Sequence, residues 1–322
     1  MKNLLKLSLC LVWTAFIGSG ISGCKKDSVS KTNPVISWEN PADVDFGTLL
    51  SSIQLNATAD VPGSFIYTPA LGTKLSSGLS QDLKVVFTPS DAGKYASASK
   101  TVKINVLPDG TSSAVFNPSV VYDTLTDIDG HVYKTVTIGT QIWMAENLRA
   151  THYRNGDSVP SVTLNVSWKN LKTGACCTYE NTADKNKIAT EGRLYNWYAV
   201  SDSRNIAPVG WHVPTDAEWT ILTTFLGGEA AAGGKMKESG TLHWNSPNTG
   251  AVNSSGFTAI PSGKREYSDG TFLNLGYDCF YWSSTAYDIN YSWYRYLHYD
   301  VTNVYRANFH GQYGHSIRCV KD

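Results

Sequence analysis

The stretch "GWHVPTDAEWTILTTFLGG", residues 210–228, contains the most clearly delimited helix of the sequence. Its "TDAE" segment fits the capping box, in which the Thr215 hydroxyl accepts from the Glu218 amide and the Glu218 carboxylate accepts from the Thr215 amide. Apolar residues recur at helical spacing from Trp219 onward, and two glycines end the helix. A pair of acids, Asp216 and Glu218, beside tryptophans would also suit catalysis. Because the match to the capping box is complete, we expect Thr215 and Glu218 to cap a packed helix.

The beginning of the chain is typical of an export signal. Leu7–Ile17 is an apolar run of signal-peptide length and is too short to span a membrane. The following "ISGC" resembles a bacterial lipobox, which implies cleavage before Cys24 and lipid on its sulfur; an ordinary signal peptide with an incidental cysteine is the alternative. We assign residues 1–23 to the signal peptide and residues 24–33 to a lipidated tether. The following Lys25-Lys26-Asp27 resembles the charged start of lipoproteins displayed on the surface of Bacteroidetes-type cells. Together the two resemblances imply a surface-exposed outer-membrane lipoprotein, held on the membrane by acyl chains.

The charge of the chain bears on its binding partners, and its cysteines bear on possible disulfides. The chain has 27 basic and 27 acidic side chains, and loss of Lys2 and Lys6 with the signal peptide leaves 25 and 27, a net charge of −2. No basic block is long enough for a nucleic-acid footprint, so we expect no nucleic-acid partner. The cysteines beyond Cys24 allow three full pairings, among which the sequence cannot choose. They are Cys176, Cys177, Cys279 and Cys319.

Residues 34–107 predict an all-β unit. Short alternating runs such as "GSFIYTP" and "DLKVVFTP" are separated by Gly and Pro clusters at intervals of roughly ten residues, a spacing typical of a sandwich. The stretches "ISWENPADVDFGTLLSSIQLNATADVPGSFIYTPALGTKL", "VVFTPSDAGKY" and "TVKINV" resemble a bacterial immunoglobulin-like repeat. The resemblance implies an immunoglobulin-like sandwich that acts as a spacer.

A segment rich in Pro, Gly and Ser, residues 108–120, predicts a linker before an aromatic-rich head at residues 121–322. At the start of the head, "HVYKTVTIG" and "QIWMAENL" alternate as the two strands of a hairpin. The preceding "DIDG", beginning at Asp127, predicts a turn. An EF-hand calcium loop starting at Asp127 would need Glu at its twelfth position, where Ile138 stands. Bound calcium therefore stays open without a supporting motif, and we expect no cofactor and no metal site.

Two further segments of the head carry aromatic patterns. "ATEGRLYNWYAVSDS" predicts a short helix, because Leu194, Trp197 and Tyr198 recur at helical spacing. "YSWYRYLHY" alternates as a strand. It places Trp293 and Leu297 on an inward face with Arg295, and Tyr294, Tyr296 and His298 on an outer face. We expect the tryptophans in the regular motifs to fill the core: Trp143, Trp197, Trp219, Trp282 and Trp293.

The head resembles a known family in several motifs that occur in a fixed order. They are "TVTIGTQIWMAENLRATHYRNG", "GRLYNWYAV", "APVGWHVPTDAEWTIL", "SGFTAIPSGKRE", "YWSST" and "SIRCVKD". Together they identify the head, about residues 121–322, as similar to the Fibrobacter succinogenes major paralogous domain (FISUMP). Members of that family often have Cys just before the "GWHVP" segment, where this chain has Ala207. That Cys would be a natural partner for Cys319, so its absence leaves Cys319 to pair elsewhere or to stay reduced.

More distantly, "VPTDAEW" and "IRCVKD" resemble parts of formylglycine-generating-enzyme-like domains. The resemblance implies the α+β C-type-lectin-like fold, with a helix pair, a twisted antiparallel sheet, long loops and neighbouring ends. It carries an expectation of fold and not of activity. The expected architecture is thus multidomain: an all-β immunoglobulin-like sandwich followed by a C-type-lectin-like head.

Three functions fit the sequence. The first, which we favour, is a cell-surface lipoprotein whose head binds a glycan or protein through aromatic loops. The second is a structural surface protein without a ligand. The third is an enzyme, which we do not expect because no G-x-S-x-G, Walker A or H-E-x-x-H motif occurs. The candidate ligand-binding residues are Tyr294, Tyr296, His298, Tyr305, Asn308, His310 and Tyr313, and the loops around Tyr267 and Trp244 come next.

Overall fold

This computed structural model describes residues 30–322. The predicted signal peptide, the predicted lipidation site Cys24 and most of the predicted tether lie outside the described residues. Within them, the chain is mostly β-sheet with a few short helices. No helix in residues 30–322 is long and apolar enough to cross a bilayer.

Residues 34–107 contain strands and no helix, as the alternating runs predict. Its strands are β1 (Ile36–Ser37), β2 (Val44–Asp45), β3 (Thr58–Ala59), β4 (Gly63–Thr68), β5 (Gly78–Pro89) and β6 (Ala98–Leu107). Strands β1 and β3 pair, while the other four form a sheet in the order β2-β6-β5-β4. Along β5, Leu83, Val85 and Phe87 are buried and the residues between them are exposed, because successive side chains of a strand point to opposite faces.

The rest of the chain contains twelve further strands, five α-helices and a 3-10 helix at Tyr179–Asn181. The strands are β7 (Asp123–Thr126), β8 (Val132–Ile138), β9 (Gln141–Met144), β10 (Cys176–Cys177), β11 (Leu194–Tyr195), β12 (Trp211–His212), β13 (Ser262–Arg265), β14 (Phe272–Leu275), β15 (Asp278–Ala286), β16 (Tyr291–His298), β17 (Val304–His310) and β18 (Val320–Lys321). The helices are α1 (Asn165–Trp168), α2 (Lys185–Glu191), α3 (Trp197–Val200), α4 (Asp216–Phe225) and α5 (Glu229–Met236). Two five-stranded sheets dominate, in the orders β12-β18-β9-β8-β7 and β14-β13-β15-β16-β17.

The predicted hairpin of the head is confirmed. Strands β8 and β9 pair in antiparallel register around a turn at Gly139, whose φ is 62°. The last strand, β18, lies between β9 and β12, so that Val320 faces Trp143 on one side and His212 on the other. Backbone hydrogen bonds therefore connect strand β18 to strand β9 near the start of the head.

The capping box at α4 is confirmed. The Thr215 hydroxyl accepts from the Glu218 amide at 3.2 Å, and a Glu218 carboxylate oxygen accepts from the Thr215 amide at 2.7 Å. Trp219 is fully buried, with its ring centroid 4.8 Å from that of Trp143. Gly227 and Gly228, with φ of 100° and 89°, end the helix. The residues that delimit this helix in the sequence delimit it in the structure.

The helix predicted over "ATEGRLYNWYAVSDS" is confirmed only in part: Trp197 and Tyr198 lie in α3, whereas Leu194 lies in β11. Helix α2 ends at Glu191, strand β11 follows, and α3 begins only at Trp197. The break is at Gly192, which has φ 75° and approaches Asn147 so closely that a Cβ would lie 2.4 Å from the Asn147 Cβ. The spacing of apolar residues suggested one helix, whereas the tertiary contact at Gly192 divides the segment.

All four cysteines of the described residues are buried free thiols. Burial raises the pKa of Cys176 to about 11 and that of Cys177 to about 12. Cys279 and Cys319 are likewise shifted upward by burial. The thiols therefore pack as small apolar groups.

Candidate functional site

The candidate site is built on β16, the strand between β15 and β17. Its alternation is as predicted, since Trp293, Arg295 and Leu297 share one face and Tyr294, Tyr296 and His298 share the other. Arg295 donates to Asp216 of α4 at 2.6 Å, so its face packs toward the helices. The opposite face is not free either: Tyr294 is 2% exposed.

The prediction that Tyr294 lies on an exposed outer face is therefore wrong, and Tyr313 is also buried, at 8% exposure. The physical reason is that a second core covers this side of the sheet. That core contains Trp282, Ile317 and the segment around Tyr195. Period-2 alternation identifies two faces but not which of them meets solvent, and here neither is fully solvated.

Aromatic rings from four chain segments form a continuous row across this face. In spatial order the row, which we call the aromatic row, is Tyr305, Tyr296, Tyr294, Phe309, Tyr313, Tyr267 and His310. Successive ring centroids are 4.6, 5.9, 4.7, 4.5, 5.0 and 5.1 Å apart. Aromatic pairs at such distances attract each other beyond their area burial. The rings of the row are therefore held against one another in the protein without a ligand.

The ends of the aromatic row reach solvent. Tyr296, Tyr305, Phe309 and His310 are half-buried, and Tyr267 is 38% exposed. Burial raises the pKa of Tyr296, with a smaller contribution from Tyr305. The Tyr296 phenol therefore remains a neutral hydrogen-bonding group at physiological pH.

A charged pair borders the row. Lys264 Nζ lies 2.6 Å from Glu266 Oε1, and both side chains are mostly buried. The ammonium lies 5.3 Å from the ring centroid of Phe309 and 5.1 Å from that of Tyr313, a cation–π geometry. Burial raises the pKa of Tyr313, and the Glu266 carboxylate adds to the rise. The pair adds both signs of charge to an otherwise aromatic surface.

His315 lies beneath the row without a hydrogen-bond partner on either ring nitrogen. Its ring centroid is 4.3 Å from that of Trp282 and 5.1 Å from that of Tyr294. Burial, with Lys264 as a lesser cause, lowers the pKa of His315 well below its usual value. The imidazole is thus neutral and packs as an aromatic ring.

Five of the seven predicted ligand-binding residues lie in the aromatic row, and two do not. His298 pairs with Asp278 and, at 3.3 Å, with Asp300. Asn308 faces Trp293 across the strands and so belongs to the helix side. Of the next candidates, Tyr267 lies in the row, whereas Trp244 is buried and donates to the Ala259 carbonyl at 2.9 Å.

Sequence reasoning missed Phe309, Lys264 and Glu266. Phe309 was detectable, because Tyr305, Ala307 and Phe309 alternate on one face of β17 and pair with the tyrosine face of β16. Lys264 and Glu266 come from β13 and the residue after it, far away in the sequence. Nothing in their local pattern indicates that they lie beside the row.

The two acids of the opening stretch have structural partners. Burial opposes ionisation of Asp216, but hydrogen bonds from Arg306 and Arg295 outweigh it and lower the Asp216 pKa. For Glu218, burial is likewise outweighed by hydrogen bonds from Thr215 and His212, and the pKa is lowered. Both carboxylates therefore serve as fixed acceptors for neighbouring donors.

The predicted turn at Asp127 is confirmed by the 3.1 Å hydrogen bond from the Gly130 amide to the Asp127 carbonyl. In the described part of the chain, one group of three side chains could hold a metal ion: Asp127, Asp129 and His131, with ligand atoms within 4.8 Å of one another. Asp127 already accepts from the Tyr133 hydroxyl at 2.6 Å and from the His131 amide at 2.9 Å. The Asp127 carboxylate therefore stabilises the turn by accepting these hydrogen bonds.

The fold and this face together define a β-rich protein with an immunoglobulin-like sheet at its start and an aromatic-lined head. The head decides the family. The chain belongs to the family of the Fibrobacter succinogenes major domain, whose model matches residues 136–321. Comparisons with curated proteins and with solved structures give no match.

Proposed function

We propose that this protein is a binding module whose head holds a glycan or protein ligand on the aromatic row. The observation that carries the proposal is the pre-stacked row itself, with partly exposed rings at Tyr296, Tyr305 and Tyr267. Tyrosine rings provide a large contact area at low conformational-entropy cost, because they have few rotatable bonds. A row already held by its neighbours loses little further freedom when a ligand stacks on it.

The proposal includes a C-type-lectin-like fold for the head. Three features support it: the helix pair α4 and α5, the antiparallel strands β15, β16 and β17, and the last strand β18 beside β9 near the start of the head. In such a fold, ligands meet the loops and strand face of the C-terminal half. The aromatic row occupies that half.

Display on the cell surface is the second element of the proposal. It rests on the lipobox-like "ISGC" before the tether and on the immunoglobulin-like unit between tether and head. Lipid on Cys24 would anchor the chain in the outer membrane, and the first sheets would hold the head away from it. Changing Cys24 to Ala should release the protein from membranes or block its processing.

Binding is tested with the full chain on a glycan array and in a cell-binding assay. For any ligand found, Tyr305→Ala or Tyr296→Ala should weaken binding by about 2 kcal/mol, about 30-fold in Kd, because central stacking residues carry most binding energy. The matched control is Tyr277→Ala, since Tyr277 is 48% exposed but lies in the turn between β14 and β15.

Equal binding by the three variants would place the ligand elsewhere on the molecule. The absence of any ligand in both screens would favour the structural surface protein. An enzyme of the formylglycine-generating kind receives no support from the cysteines of residues 30–322. Reactive cysteines need low pKa values and access, and these four thiols are buried with raised pKa values.

A further inference from the structure

Three side chains that no sequence motif connects lie in line at the edge of the head. Ser113 belongs to the linker after β6, and Glu238 and His243 follow α5. The Ser113 hydroxyl oxygen is 3.0 Å from His243 Nε2, and His243 Nδ1 is 2.7 Å from Glu238 Oε2. Hydroxyl, imidazole and carboxylate thus follow one another at hydrogen-bond distances.

Burial decreases along this line from the carboxylate to the hydroxyl, so the group that would attack a substrate is the exposed one. The Glu238 side chain is fully buried, His243 is mostly buried, and Ser113 is exposed. The other Glu238 oxygen accepts from the Val115 amide at 2.6 Å. The carboxylate is therefore held by the chain on one side and receives the imidazole on the other.

These contacts determine the histidine tautomer. An ionised carboxylate has only acceptor oxygens. One Glu238 oxygen accepts from the Val115 amide, and the other can accept from His243, so Nδ1 carries the hydrogen. In the neutral imidazole this leaves Nε2 as an acceptor, 3.0 Å from the Ser113 hydroxyl oxygen. A buried carboxylate that fixes a histidine tautomer, with the free nitrogen on a hydroxyl, is the arrangement that activates a nucleophile.

Hydrogen bonds to helix α2 hold the linker segment beside His243. The Ser113 amide donates to Thr190 Oγ1 at 2.9 Å, and the Thr111 amide donates to Asn186 Oδ1 at 2.9 Å. Both acceptors lie on α2. Thr190 gives its own hydroxyl hydrogen to the Asn186 carbonyl, and its oxygen lies 3.1 Å from the Ser113 hydroxyl oxygen. The Ser113 hydroxyl therefore has two acceptors within reach, Thr190 Oγ1 and His243 Nε2. The Ser113 oxygen is thereby held in place while one side of it faces solvent.

We propose that Ser113 is a nucleophile that reacts with activated acyl esters, with His243 as general base and Glu238 as the residue that positions it. The Ser113 oxygen forms a bond to the acyl carbon, and the bond from that carbon to the leaving alcohol's oxygen breaks. The serine proton passes to His243 Nε2 and then to the leaving alkoxide. Water, deprotonated by the same nitrogen, then hydrolyses the acyl-serine and restores the hydroxyl. This chemistry is separate from ligand binding on the aromatic row.

The test uses the full chain and a biotinylated fluorophosphonate, which phosphonylates activated serines with loss of fluoride. We expect labelling at Ser113, located by mass spectrometry of the labelled peptide, and its loss in Ser113→Ala. The matched control is Ser112→Ala, which removes a neighbouring hydroxyl and should label like the parent. His243→Gln should slow labelling about 100-fold, the contribution of a general base.

Thermal unfolding curves of the variants show whether the fold is intact. Ser113 is exposed, so Ser113→Ala should unfold like the parent, whereas His243 is mostly buried and the curve of His243→Gln reports any cost of removing its contact with Glu238. The proposal is overturned if the parent leaves Ser113 unlabelled, or if His243→Gln is labelled at the parent's rate. Either result would make the three residues a polar clip that fastens the linker to the head.

The positioning role of Glu238 has its own readout. In Glu238→Gln the imidazole loses the carboxylate that holds Nδ1, so Ser113 should be labelled more slowly than in the parent. Because Glu238 acts through His243, the double variant with His243→Gln should be labelled no more slowly than His243→Gln alone. Additive losses in the double variant would remove Glu238 from the mechanism.

Discussion

The first sheets and the head are stabilised by different means. The core of residues 34–107 is apolar, with Trp38, Leu83, Val85 and Ile104 among its buried members, and Gln54 is the one buried polar residue in the described part before the linker. The head instead buries three guanidinium groups, Arg265, Arg295 and Arg318, with no exposed area. A hydrophobic pattern suffices to define the first region, whereas the second needs specific polar contacts.

The buried cations of the head donate hydrogen bonds to backbone carbonyls, most of which lie outside regular secondary structure. Arg318 donates to Asn147 Oδ1 at 2.6 Å and to the carbonyls of Met144, Phe257 and Thr258 at 3.1, 2.6 and 2.8 Å. Lys237 Nζ similarly lies within hydrogen-bond distance of four backbone carbonyls. Buried carbonyls require donors, and the long irregular segments of the head obtain them from side chains.

The largest expected effect is therefore that of Arg318→Met on the head. The substitution removes the guanidinium donor from the Asn147 amide oxygen and from the three backbone carbonyls that accept from Arg318. Each unsatisfied buried acceptor costs about 1–3 kcal/mol. We expect a loss of at least about 3 kcal/mol in the free energy of unfolding of the head. Hydrogen exchange with mass spectrometry can measure it separately for peptides from residues 121–322.

Peptides from residues 34–107 should keep their protection in Arg318→Met. Lys321→Met, three residues further along, is the matched control, because Lys321 is exposed. A head that tolerates Arg318→Met as well as Lys321→Met would remove the distinction between the two regions.

The contrast also explains which features of the structure could be predicted from the sequence. Strands β4, β5 and β6, the β8–β9 hairpin and helix α4 follow from alternation, helical spacing and capping, all of which are local signals. The break at Gly192, the burial of Tyr294 and the position of Lys264 depend on which segments meet in space. The candidate site was found in part, because its tyrosines alternate along one strand while its charged pair comes from another.

The second expected effect is a dependence on pH that only the head should show. His315 is neutral and buried with a folded-state pKa below the unfolded value of about 6.5. The unfolded state therefore binds more protons below pH 6.5, and stability is lost as the pH falls through that range. The loss is at most about 1.4 kcal/mol per pH unit, so about 2 kcal/mol at pH 5.

His315→Phe should remove this loss, because phenylalanine fills a similar volume and leaves no unpartnered nitrogen. His212 has the opposite sign: burial is outweighed by Asp322 and Glu218, its pKa is raised, and its contribution is present at low pH and lost as pH rises. The difference between parent and His315→Phe isolates His315. Residues 34–107 contain no histidine and should not respond between pH 5 and 7. An identical pH profile in parent and variant would contradict the prediction.

A third, smaller effect concerns the cap of α4. Thr215→Ala should lower the stability of the head by about 0.5–2 kcal/mol, the usual cost of losing an N-cap. Glu218→Gln should cost less, since Gln also fits the capping box. Denaturant unfolding followed by tryptophan fluorescence reports on it, because Trp219 lies in the same helix. Intact folding of Glu218→Gln with loss of a ligand found in the screens would give Glu218 a role in binding.

The smallest effect is expected in the first sheets, at the ion pair between Lys103 and Asp82. The two strands β5 and β6 bring these side chains together, yet 53% and 63% of their side-chain surfaces remain exposed. Solvent screens such a pair, and ordering two mobile side chains offsets what attraction is left, so Lys103→Ala should change stability by less than about 0.5 kcal/mol. The Lys103 amide, which donates to Asn40 Oδ1, is untouched by the substitution. Hydrogen exchange of the β5 and β6 peptides is the measurement, with Leu83→Ala, at about 2–5 kcal/mol, as the reference for a buried apolar contact in the same strands. A loss above 1 kcal/mol for Lys103→Ala would mean that charge also stabilises the first sheets, and the division between an apolar region and a polar one would have to be drawn elsewhere.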